Sequence, residues 1–112
     1  MATFPAGKFY VHTFGFLHSI IEETEYHIGE NNISMLKYCL ASMLAIRYTI
    51  AWRVQSIKDI SLLQQEALLD PAERCWAKAM THHQTHNIPF PTIEELMRII
   101  SGYAKVSIKR SQ

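Results

Sequence analysis

From Glu30 to Asp70 the chain runs 41 residues without a glycine or a proline. A continuous helix of that length spans about 60 Å. A compact domain of 112 residues has a radius of gyration of about 13 Å and so a diameter of roughly 35 Å. The run therefore either breaks, or projects and buries its apolar surface against another chain. Its first half, Ile33 to Val54, is apolar on nearly every side, wider than the single stripe of a surface helix.

Cap signals punctuate the chain. Ser61-Leu62-Leu63-Gln64 has the form of a capping box, which sets the expected break of the long run near Asp59 to Ser61. Upstream, Lys8 to Ile28 reads as a first helix. It has Phe14, Leu17, Ile21 and Ile28 on one stripe and Phe9, Phe16 and Ile20 beside it. Gly15 weakens that helix and marks a possible close crossing, Gly29 suits its C-terminal cap, and Asn31 or Asn32 suits the N-cap of the second helix. Asp70-Pro71-Ala72-Glu73 carries a cap, a first-turn proline and a first-turn acid, the pattern of a further helix start. Two prolines in Asn87-Ile88-Pro89-Phe90-Pro91 forbid continuation, and Thr92-Ile93-Glu94-Glu95 opens a last helix to about Tyr103. Strand signal is weak throughout.

These readings give a single all-α domain over residues 1–112, a compact bundle of four to five helices. Residues 1–7 form an N-terminal arm and residues 105–112 a basic, frayed tail. Three short helices cover an apolar second helix with difficulty, so the economical solution is a homodimer with the second helix at its centre. Its anchors would be Tyr38, Met43, Tyr48 and Trp52, residue types enriched at interfaces. Glu22, Glu23 and Glu25 offer a polar contact.

A net charge of +1 draws the chain neither to nucleic acid nor to anionic membranes. Lys37, Arg47 and Arg53 interrupt the apolar run before the ~18 uncharged residues of a membrane span are reached. Met1 to Lys8 lacks the features of a signal peptide. Cys39 and Cys75, both within helical patterns, read as buried reduced thiols. A soluble, cytoplasmic protein with no membrane partner is the expectation.

Two clusters bear on chemistry. His82 and His86 are spaced i,i+4, the separation at which two imidazoles share a metal ion, with His83 between them. No third ligand stands at a recognisable spacing. The same histidines continue an inward stripe of Ala72, Cys75 and Ala79, which gives them a structural role, and no cofactor is expected. Arg98, Lys105, Lys109 and Arg110 make the last fifth of the chain basic. Thr92 to Arg110 faintly resembles a helix-turn-helix reader with Gly102 at the turn, although Arg98 falls where a small residue should pack. No nucleophile elbow or phosphate-cradling loop occurs. The expected function is a small non-catalytic regulator, adaptor or inhibitor acting through protein–protein contacts. The alternatives are a nucleic-acid-binding regulator using the basic segment, and a metal-dependent helical enzyme built on His82, His83 and His86.

Overall fold

The long Gly/Pro-free run breaks. In the computed structural model, which describes the backbone of residues 6–111 and the side chains of residues 9–102, four α-helices follow one another. They are α1 (Ala6–Gly29), α2 (Ile33–Trp52), α3 (Leu62–Thr85) and α4 (Ile93–Ser111). No strand occurs among the described residues. The architecture is the expected all-α bundle, and no described helix is long and apolar enough to cross a membrane.

Local chemistry fixes most helix ends. Asn32 accepts the Met35 amide and starts α2. At Ser61 both halves of the capping box form: the serine hydroxyl accepts the Gln64 amide at 3.1 Å, and Gln64 accepts the Ser61 amide at 2.9 Å. Thr92 and Glu95 close the same motif before α4. These are the orphan amides that any helix start must satisfy.

Other boundaries depart from the sequence reading. Gly29 ends α1 without a left-handed backbone, and Asn31 takes that conformation instead (φ 54°). Asn tolerates the region better than most residues, because its short amide finds local partners. Asp70-Pro71 does not start a helix: α3 runs straight through Pro71 from Leu62 to Thr85. Upstream of it Leu68 and Leu69 are buried in the core, so their packing holds the first turns helical despite the missing amide. The carbonyl Pro71 would have bonded belongs to Ala67, an exposed residue. Likewise α4 continues through Gly102 to Ser111, past the expected end near Tyr103 and along the segment read as a frayed tail. The expected arm at residues 1–7 lies mostly outside the described residues, and α1 already begins at Ala6.

The core forms where α1, α3 and α4 pack around α2. Leu17 and Ile20 of α1, Leu40 and Leu44 of α2, Leu68 and Ala79 of α3, and Leu96 of α4 share one buried cluster. So α2 is central, as expected, but its cover comes from its own chain. Phe14 of the expected α1 stripe and Phe16 beside it are more than half exposed. Gly15 marks no crossing, since a Cβ added there meets nothing within 4 Å.

Three substitutions test this packing. Leu40, fully buried, should cost about 2–5 kcal/mol on change to alanine, read as a lower urea midpoint. Gly15→Ala should instead stabilise by about 1 kcal/mol, because the open site leaves only the backbone-entropy gain. Pro71→Ala should raise the melting temperature if α3 is continuous, and lower it if Pro71 opens a separate helix.

Candidate functional site

The second helix carries the residues singled out for contact, and the structure divides them. Met43 is 4% exposed and belongs to the core, so it is not a surface anchor. Tyr38 and Trp52 are 44% and 55% exposed. With Ala45 they fall at seven-residue intervals, which on an α-helix is one line along the surface. Ser34, Met35, Ser42 and Thr49 flank that line. No charged residue interrupts it, and burying such a face elsewhere costs no ion its water. Tyr48, also half exposed, sits one row over and lines a different feature.

That feature is a hollow of about 410 Å³ between α2, α3 and the start of α4, walled by Leu44, Tyr48, Leu69, Trp76 and Ile93. A second hollow of about 750 Å³ adjoins it, sharing Arg47, Leu69 and Glu73 and reaching Leu63 and Glu66.

Glu22, Glu23 and Glu25 do not form one patch. At 100° per residue Glu23 and Glu25 point about 160° apart on α1. Glu22 pairs with His18 one turn earlier at 3.0 Å, and Glu25 reaches Lys78 of α3 at 3.5 Å. Glu23 makes no ion pair with His27 one turn on: His27 Nδ1 is buried without a hydrogen-bond partner, and its ring meets the Tyr26 ring edge-on at 5.4 Å.

Among the histidines the inward one is His83, 1% exposed, and not His82 or His86. It donates from Nδ1 to the Ala79 carbonyl at 2.7 Å and packs edge-on against Phe90 at 5.0 Å. His82 bonds Asn31 Oδ1 at 2.8 Å through Nε2, tying the end of α3 to the α1–α2 turn. Burial, followed by the neighbouring His86 and His83, holds the His82 pKa below its ordinary value. His86 donates to the His82 carbonyl. The His82 and His86 rings lie 4.2 Å apart, yet no group of three or more ligand-type side chains able to hold a metal occurs among the described residues.

Arg98 is exposed on α4, while the side chains of Lys105, Lys109 and Arg110 lie outside the described residues. Because α4 is unbroken at Gly102, the turn of a helix-turn-helix is not formed there. Cys39 and Cys75 are free and buried. Burial pushes both thiols up, and the Thr24 hydroxyl draws them partly back.

Sequence reasoning missed the group that positions α2 against α3. After Trp52 the chain makes a π-turn, Arg53–Ile57, closed by the Lys58 amide on the Arg53 carbonyl at 2.7 Å. Lys58 then turns left-handed (φ 63°) and reverses the chain. The Arg53 side chain, 6% exposed, donates from Nε to both Asp59 oxygens at 3.0 and 2.9 Å. Its Nη2 lies 2.8 Å from Oδ2, and the guanidinium sits 4.1 Å from the centre of the Phe9 ring. The only signal in the sequence was an arginine inside an apolar helix with an acid six residues later.

No family model, curated protein or solved structure matches the chain.

The Arg53 hydrogen bond holds the Asp59 carboxyl below the usual carboxylate range, against a smaller opposing effect of burial. Stability linked to this pair is therefore complete above the ordinary aspartate value, about 3.9, and is lost as the pH falls through the lower folded value. Asp59→Asn should lower the melting temperature at neutral pH, and the gap from the unmodified protein should close on acidification below about pH 3. Circular-dichroism melts across that range check it, and equal melting temperatures at neutral pH would contradict it.

Proposed function

We propose that the protein is a small non-catalytic regulator or adaptor that acts through protein–protein contacts as a helical homodimer. The observation that carries this reading is the uncharged line Tyr38, Ala45 and Trp52 on the central helix, with its two aromatic side chains about half exposed. Tyr and Trp are the side chains that concentrate binding energy at interfaces. They are half exposed here although the chain has a buried core to put them in.

The spacing supports a second copy as the first contact. Tyr38 and Trp52 stand equally far from Ala45, seven residues to either side. An antiparallel two-fold crossing centred on Ala45 therefore sets Tyr38 against the partner's Trp52, and Trp52 against the partner's Tyr38. The small Ser42, Ala45 and Thr49 let the helices approach closely at the crossing. Such a patch is self-complementary, as an isologous interface must be. The second helix was expected at the centre of the dimer because its own chain could not cover it. The reading now rests on one line of that helix, without Met43 and without the α1 carboxylates.

Light scattering over a wide concentration range tests it. The unmodified protein should run at twice its 12.9 kDa chain mass. Ala45→Glu should run as a monomer with unchanged helical circular dichroism, because it places a charge on the crossing point. Trp52→Ala should shift the mass in the same direction without unfolding, since Trp52 lies outside the core. A concentration-independent mass of 12.9 kDa for the unmodified chain would refute the dimer.

A further inference from the structure

The two adjoining hollows form one trough along α3, from Leu63 to Trp76, about 20 Å at the helical rise. Its upper half is apolar. Its lower half lies between Ala51 of α2 and the acids Glu66, Asp70 and Glu73 of α3. Large apolar side chains stand open at both ends, Leu63 at 76% and Ile93 at 49% exposure.

We propose that this trough is the docking site for an amphipathic helix of a protein partner, apolar along one face and basic at the end that meets Glu66. Two observations converge on that occupant. The length matches three to four turns of helix, the usual size of a helix-in-groove ligand. The floor at Leu44, Leu69, Ala72 and Trp76 is apolar, the lining that anchors spaced i, i+4 and i+7 require.

Charge sets the polarity of the occupant. Asp70 is already held by Arg74 one turn away. Glu73 faces Arg47 at 3.7 Å, beyond hydrogen-bonding distance, with both side chains more than half exposed. Glu66 makes no ion pair among the described residues. The trough wall therefore carries one uncompensated negative charge at its Leu63 end, and a lysine or arginine there is the complement. The site uses a different side of α2 from the Tyr38–Ala45–Trp52 line, so it stands whether or not the chain dimerises.

Selection of a displayed library of helical fifteen-residue peptides tests the proposal, run in parallel against the unmodified protein and the Ala45→Glu variant. Both selections should yield peptides with an apolar stripe and a basic residue at one end. Affinity of a synthetic copy, read by fluorescence anisotropy, should fall about tenfold with Glu66→Lys and also with Leu63→Ser. Both positions are exposed, so the fold survives either change. Replacing the peptide's basic residue with glutamate should restore binding to Glu66→Lys. The proposal is overturned if no peptide binds, if selected peptides are acidic at that end, or if affinity is unchanged in both variants. Loss of the dimer in Ala45→Glu with peptide binding intact would leave it standing.

Discussion

Everything in this fold depends on one reversal of the chain between Trp52 and Ser61. A 41-residue stretch with no helix breaker has every local reason to continue as a rod. It turns back because Arg53 is carried under the bundle, where Asp59 takes its charge and Phe9 covers its plane. A buried guanidinium needs such a partner, and the geometry is satisfied only when residues 54–58 have coiled tightly enough to return the chain. The π-turn and the left-handed Lys58 are the backbone consequences. Strain at such positions persists only where surrounding structure over-determines it, and here the ion pair and the buried Ile60 do so.

Once reversed, α2 is enclosed by α1, α3 and α4, and its girth no longer demands a second chain for stability. The broad apolar surface that suggested a second subunit is largely accounted for by Leu36, Leu40, Met43, Leu44 and Ile50 inside one protomer. What remains is narrower: one uncharged line on the side of α2 between its neighbours, and a trough where α3 and α4 stand apart over it. Both are surface features of α2 and the helices around it.

How much of this the sequence revealed follows from the range of the forces involved. The starts at Asn32, Ser61 and Thr92 were legible because a cap is a hydrogen bond between residues three apart. Pro71 was misleading for the same reason: a first-turn proline and an interior proline look alike locally, and only the distant packing of Leu68 and Leu69 separates them. His83 could not be chosen over His82 and His86 by periodicity, because Phe90 beyond the helix end decides which ring turns inward. Counting apolar residues on α2 could not say whose chain would cover them. That is why Met43 passed for an anchor, while Tyr38, Tyr48 and Trp52 did stay at the surface.

The reversal folds α2 and α3 back on each other within one chain, as the 2.8 Å contact between Asn31 and His82 requires. Pulsed electron spin resonance between labels at Ser34 and Gln84, both exposed, measures this directly when labelled protein is diluted into unlabelled protein, so that only distances within a chain contribute. A hairpin gives a separation below about 30 Å, the diameter of a small domain. A value near 75 Å, the span of 50 residues of unbroken helix at about 1.5 Å each, would mean the run stays extended and α3 packs on another copy. That result would contradict the account.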